Sequence, residues 1–384
     1  MPTTRSKNAL YRIMLPFCAP VAGEKPVSAV IGHKVLNIDK FVQIIRKHHV
    51  LGSSTLIVSQ GQSSLICTSS DNPLHRAEED TFYRVASITK MATSVLIMRL
   101  TDLNILSIDI PVSDCFPDKR EKQALHEITL RQLLSHTSGI IDPVDLETSM
   151  EKGIPFSEIV PAARQYSPGS AFHYSNLGFG LIGCILEAKL NQPVGQIFRE
   201  YLFRPLGMKA TLEGYQVPKE KIMPVSRVLP YRKGNDLILT KLGSVPLQNP
   251  DPLRHYGHTA GSMYTDVASL HMLMKVLNGE NISFLSENAL KTMRTDHAAY
   301  GSVSPTLTYG LGLLHIQDHH ISEYSVYGHQ GFAYGCVDGA FWEEKTGRIL
   351  ITLNGGCSEA RSGRLGLSNR DFIRWAFRKE LPLW

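Results

Sequence analysis

Between residues 37 and 50, apolar side chains recur at helical spacing, with Ile38, Phe41, Ile44 and Ile45 on one face. The period then shortens. Residues 54–60 and 63–68 are β-rich runs parted by Gly61-Gln62, which predicts a hairpin. Residues 69–80 are polar, carry Pro73 and Glu78-Glu79-Asp80, and read as a surface connection. From Ile88 to Leu106 the chain is apolar nearly all round, through Met91, Val95, Leu96, Ile97, Met98 and Leu100. That pattern predicts a buried helix, not an amphipathic one. Helical patterns follow at 130–135, 178–190, 195–202, 267–277 and 287–295, and Pro143, Pro155, Pro161 and Pro168 punctuate the first half of the region. Short runs rich in β-branched and aromatic residues return at 311–317, 324–329, 335–341 and 348–353. Residues 369–379 predict a closing helix with Phe372, Ile373, Trp375 and Ala376 on its apolar side.

Strands at both ends with helices between them predict an α+β fold: a central antiparallel sheet interrupted by a mostly helical insertion. The N- and C-terminal helices would cover one sheet face. Residues 1–35 read as a loosely structured arm and 36–384 as one domain. Its sheet part spans about 36–85 and 300–384, and its helical part about 86–300.

Composition narrows the class. With 43% hydrophobic and 20% charged residues over 384 positions, disorder and fibrous architectures are excluded. The net charge of +5 includes no run of five basic residues, so no nucleic-acid partner is expected. Cys18, Cys67, Cys115, Cys184, Cys336 and Cys357 contain no C-x-x-C pair and read as buried free thiols of a reducing compartment. Arg5 and Lys7 precede an apolar stretch at 9–22, but Arg12, Pro16 and Pro20 interrupt it. No signal peptide is read there, no run of 18 apolar residues exists elsewhere, and a cytoplasmic location is expected.

Three short motifs carry chemistry. Ser87-Ile88-Thr89-Lys90 opens the apolar helix, where positions i and i+3 share a face, so Lys90 can reach the Ser87 hydroxyl. Burial lowers a lysine pKa and turns the amine into a base, while the helix N-terminus offers N–H groups to an oxyanion; taken alone, the motif reads equally as a plain helix-capping serine. Ser149-Met150-Glu151-Lys152 has the same spacing but no apolar helix to bury its lysine, so Ser149 is not expected to be a nucleophile. Tyr174-Ser175-Asn176 is the chain's single Y-x-N. It joins a phenol able to act in proton transfer to an amide able to hold a substrate carbonyl or Lys90. Taken alone, the tripeptide reads equally as a buried tyrosine beside a turn-forming asparagine. Gly328-His329-Gln330-Gly331, followed by Phe332, ends a strand with glycine, and His329 is expected to face a cleft and supply a proton or hydrogen bond.

In this order, S-x-x-K, Y-x-N and H-x-G resemble the motifs of the serine β-lactamase and penicillin-binding protein superfamily. The best-matching branch holds class C β-lactamases, D-alanyl-D-alanine carboxypeptidases and family VIII esterases. The stretches 130–139 (LRQLLSHTSG), 204–208 (RPLGM) and 260–265 (AGSMYT) are similar as well. The resemblance covers roughly residues 40–380. It implies an acyl-enzyme on Ser87, base and acid roles for Lys90 and Tyr174, and an orienting role for Asn176. It also implies an oxyanion hole from the N–H groups of Ser87 and Phe332 beside Gly331, with no metal and no organic cofactor. Three literal motif copies are set aside. Ser70-Asp71-Asn72 precedes the nucleophile, Lys345-Thr346-Gly347 reads as a hairpin tip, and Gly178–Gly183 (GFGLIG) lacks a preceding strand.

One departure bears on substrate. By the resemblance, relatives that bind β-lactams well usually carry lysine where this chain has His329, and a histidine offers less positive charge at neutral pH. The expectation is therefore an esterase or amidase on small acyl substrates. The alternatives are a β-lactamase or D,D-carboxypeptidase, an acyltransferase to a small acceptor, and a non-catalytic ligand-binding member of the fold. Small esters, amides or β-lactams are the expected partners.

Overall fold

The computed structural model describes residues 13–14, 22–35, 37–226, 237–299 and 306–378; Cys18 and most of the expected N-terminal arm lie outside these. The predicted hairpin forms from Ser53–Ser59 (β2) and Gln62–Ser70 (β3). Its two-residue turn is Gln60-Gly61, one position earlier than the sequence suggested, because both residues adopt positive φ (51° and 77°). That is the turn whose twist matches paired strands, and glycine takes its second position without strain. The stretch Ala22–Gly32, read from sequence as part of a loose arm, is instead an edge strand (β1) antiparallel to β3. Its pairing slips twice between Ala22 and Ala29, around Pro26, and the residues that face the core are few, so the alternation is too short to register in sequence.

Six later strands complete the sheet: Ala298–Ala299 (β4), Leu307–Tyr309 (β5), Leu314–Ile316 (β6), Val326–Ala333 (β7), Cys336–Glu343 (β8) and Ile349–Asn354 (β9). The order is β1-β3-β2-β9-β8-β7-β6-β5-β4, antiparallel throughout. Strands from the start and end of the chain meet at the β2–β9 pair. Both sheet faces are covered, which is why the central strands are buried along their whole length.

Ile38–Lys47 (α1) and Leu367–Ala376 (α4) cover one face, as expected. Phe41 sits 5.8 Å from the Phe372 ring and 5.0 Å from Trp375, over Ile57, Ile66 and Leu350. Thr89–Asp102 (α2) lies in the larger core against the other face, with Leu56, Ala340, Ile349 and Ile351 in the same apolar cluster. Its apolar surround matches the all-round hydrophobic pattern.

Between β3 and β4 the chain is mainly helical, with one feature that short-range pattern could not reveal. Tyr83–Arg84, Tyr264–Thr265 and Ala210–Thr211 pair into a small antiparallel ribbon. The ribbon ties the segment entering α2 to distant loops, so it helps fix where Ser87 stands. Asn176–Leu190 (α3) is buried along most of its length. The glycines of the G-x-G-x-x-G copy lie inside α3, where a Cβ on Gly180 would fall 1.5 Å from the Tyr256 carbonyl oxygen. They serve close packing, not phosphate binding. Gly180→Ala is expected to destabilise the protein by about 3 kcal/mol despite alanine's better helix propensity, read as a lower urea midpoint at unchanged m-value.

Candidate active site

Ser87 is delivered by a strained turn. Ala86, just ahead of it, holds φ at 45°, a left-handed conformation costly for a residue with a Cβ. Thr89 pins the kink: its hydroxyl donates to the Ala86 carbonyl (2.6 Å) and accepts from the Met263 N–H (3.1 Å). The 3₁₀ turn Ala86–Ile88 then runs straight into α2, which places Lys90 one turn beyond Ser87.

Lys90 is fully buried, and its Nζ has three oxygen neighbours: Ser87 Oγ at 3.2 Å, Asn176 Oδ1 at 2.9 Å and the Ala260 carbonyl at 2.7 Å. Burial pulls its pKa down to about 7; nearby Asp142 opposes that shift and Arg84 adds to it. The last two neighbours can only accept. A neutral amine has two N–H bonds and one lone pair, so Asn176 and Ala260 take both protons and the lone pair is left for the Ser87 hydroxyl. Tyr174 donates its phenolic proton to the same Ser87 Oγ at 2.9 Å, and its ring lies 5.0 Å from Lys90 Nζ. The geometry thus joins Ser87, Lys90, Tyr174 and Asn176, residues that sequence places up to 89 positions apart.

The third motif arrives beside them in a different posture. β7 pairs with β6 only through Val326–Gly328, so from His329 onward that edge runs past the end of β6. Gly331 packs against the segment before the nucleophile, where an added Cβ would sit 2.3 Å from the Val85 carbonyl oxygen. Phe332 is half-buried under the Arg361 guanidinium, 3.5 Å above its ring. His329, however, does not face a cleft. It is buried, its Nδ1–H donates to the Gln330 carbonyl (2.7 Å), and its Nε2 accepts from Tyr309 O–H (2.9 Å). Burial, then the neighbouring Lys90, lower its pKa to about 3, so the ring is neutral across the physiological range. The strand register decided this, because it turns the side chain into the layer holding Tyr309.

Two nearby residues were not singled out individually from sequence. His136, within the 130–139 stretch, lies 4.3 Å from the Tyr174 ring and accepts the Ser175 N–H at Nδ1 (3.1 Å). Its burial, with Lys90 and His329 beside it, drives its pKa well down. Asp142, three residues beyond that stretch, stands at the N-terminal end of α3. A cavity of about 560 Å³ reaches the site at Tyr174, walled by Phe172, His173, Ala298 and Arg364 among others.

The other motif copies lie elsewhere. Lys345-Thr346-Gly347 forms the β8–β9 turn, with Thr346 Oγ1 bonded to Glu343. Asn72 caps a 3₁₀ turn at the surface, and Lys152 is exposed. Among the described residues no group of three or more His, Cys, Asp or Glu could hold a metal ion, and no helix is long and apolar enough to cross a membrane.

The Beta-lactamase family model matches residues 38–352, most of the chain, from the start of α1 into β9. The chain belongs to the beta-lactamase family. Its family relatives include Esterase EstB of Burkholderia gladioli, 24% identical over 374 residues and covering 87% of this chain and 93% of the relative. Among solved structures, EstCE1, described as a hydrolase with promiscuous acyltransferase activity, superposes with a TM-score of 0.68 at 20% identity, over 88% of this chain and 97% of its own. The D-amino acid amidase of Ochrobactrum anthropi SV3, complexed with L-phenylalanine amide, gives 0.68 at 24% identity, over 88% and 96%. These likenesses establish the β-lactamase fold, and the family is one of hydrolases.

Proposed function

We propose that this protein is a serine hydrolase of small uncharged esters or amides, acting through an acyl-enzyme on Ser87. The observation that carries the reading is the hydrogen-bond accounting at Lys90: two pure acceptors hold the neutral amine so that its lone pair meets the Ser87 hydroxyl. Ser87 Oγ attacks the substrate carbonyl carbon while its proton passes to Lys90 Nζ. The carbonyl π-electrons move onto oxygen, which the N–H groups of Ser87 and Phe332 receive. On collapse the C–O or C–N bond breaks, and the leaving group takes a proton from Lys90 by way of Tyr174. Water then attacks the acyl carbon and gives a proton to the same pair; the bond from that carbon to Ser87 Oγ breaks as the proton returns to Oγ, and the carboxylic acid leaves.

The preference for uncharged substrates rests on the state of His329, at the position that in β-lactam-binding relatives holds a lysine. A neutral, buried ring supplies no cation to a substrate carboxylate. The names of two relatives, an esterase and an amidase, agree with an ester or amide as the substrate. A charged hydrogen bond to such a carboxylate is worth about 1.5–3 kcal/mol. kcat/KM for a short-chain p-nitrophenyl ester should accordingly exceed that for a penicillin by at least about 10- to 100-fold, measured by spectrophotometric turnover of both.

Intact-mass spectrometry tests the nucleophile. A fluorophosphonate probe should add once to the wild type and not to Ser87→Ala. Equal labelling of both proteins, or of neither, overturns the assignment. A stable penicillin adduct on Ser87 would move the substrate class to penicillin-type amides and leave the nucleophile standing.

A further inference from the structure

Asp142 is a hub that the three motifs do not include. Its Oδ1 accepts from Ser175 Oγ (2.7 Å) and the Leu177 N–H (2.9 Å), and its Oδ2 accepts from the Asn176 N–H and the Asn176 Nδ2 amide (both 2.9 Å). The carboxylate therefore satisfies two of the free N–H groups opening α3, where the helix dipole favours negative charge. The fourth bond has another consequence. An asparagine side chain can present either its oxygen or its NH₂ to a neighbour, and only the oxygen suits a donor. With Nδ2 held by Asp142, the oxygen is turned to Lys90 Nζ. An NH₂ in that place would compete for the amine lone pair that Ser87 needs.

We infer that Asp142 is a positioning residue for the hydrolysis proposed above: it locks the Asn176 amide in the orientation that aims the Lys90 lone pair at Ser87. The inference rests on that hydrolase reading. Asp142 touches neither Ser87 nor Lys90 directly through any described hydrogen bond and acts through Asn176. It also holds the Tyr174–Asn176 turn from one side while His136 holds it from the other through the Ser175 N–H.

The charged and titratable groups facing Lys90 set the sign of a pH test. They are Asp142 from its loop, Arg84 from the strand before Ser87 and Tyr174 from the turn before α3, together with the buried, uncharged rings of His136 and His329. His258, on the turn that supplies the Ala260 carbonyl, is likewise buried with its pKa lowered to about 3. Among these, Asp142 raises the lysine's proton affinity and Arg84 lowers it. Removing the negative charge should therefore move the acid limb of the kcat/KM profile to lower pH. Freeing the Asn176 amide to present its NH₂ group acts in the same direction.

The test compares Asp142→Asn, Asp142→Glu, Asn176→Ala, the double variant Asp142→Asn/Asn176→Ala and Ser87→Ala on a p-nitrophenyl ester, with thermal melts of each. Asp142→Asn should lower kcat about 10- to 100-fold with KM within about threefold, and shift the acid limb downward. The double variant should be no slower than Asn176→Ala alone, since both break one path. Asp142→Glu keeps the charge, so its limb should stay near the wild-type position while kcat falls less, a readout that survives if the amide variant folds poorly. Wild-type kcat in folded Asp142→Asn overturns the inference. So does a loss that adds fully to that of Asn176→Ala with an unmoved limb, which would mark a purely structural cap. Ser87→Ala with wild-type activity would instead bring down the hydrolase reading, and this inference with it.

Discussion

Ser87→Ala should lower kcat/KM for an aryl ester by about 10⁴-fold or more, the scale on which covalent nucleophiles act as a unit with their base. The substitution removes one oxygen and leaves the Ala86 kink and the Thr89 anchors intact, so the melting temperature should scarcely change. What remains in the variant is the arrangement around Lys90, whose Nζ keeps its bonds to Asn176 and Ala260. A water standing where Ser87 Oγ was would meet the same lone pair. Residual turnover should therefore be slow, lack burst kinetics and trap no acyl-enzyme by mass spectrometry. A variant with more than a tenth of wild-type activity would exclude Ser87 as the nucleophile.

The second large effect is on pH dependence. Lys90 works as a base only when neutral, and burial sets its pKa near 7, far below the ordinary lysine value of 10.5. In kcat/KM the acid limb should therefore bend near pH 7, with activity falling about tenfold per unit below it. The sign follows from the group: lowering the pH protonates the amine, whose third proton then occupies the Ser87 hydroxyl oxygen. None of the three nearby buried histidines can produce that limb, because His329 and His258 are held near 3 and His136 well below its ordinary value. Lys90→Met, which keeps the side-chain volume, should cost about 10³-fold at pH 8 and abolish the limb. A wild-type profile flat from pH 5.5 to 8, or a limb that persists in Lys90→Met, would remove Lys90 from the base role.

Much of this protein was legible along the chain. The all-round apolar run after Ser87 announced a buried helix, and burial is what makes the Lys90 amine useful. The short alternating runs at both ends foretold one sheet. Where sequence fell short, the cause was local. β1 carries Pro26 and pairs irregularly at an edge, so its pattern is weak although its hydrogen bonds are real. The ribbon strands Tyr83–Arg84, Ala210–Thr211 and Tyr264–Thr265 are two residues each, too short for any periodicity.

Within the site the same division holds. Residue types and spacing determined which groups could do acyl chemistry: a serine and lysine one helical turn apart, a tyrosine and asparagine two apart. These are properties of neighbours in sequence, governed by helix geometry and side-chain chemistry. Tertiary structure alone decided the rest. It turned His329 into the layer of Tyr309 and made it neutral, and it brought the Ala260 carbonyl to Lys90 from 170 positions away. It also set Asp142 against the Tyr174–Asn176 turn. Charge state and hydrogen-bond direction depend on who stands within about 3 Å in a water-poor interior. That neighbourhood forms only when the sheet and helices have packed.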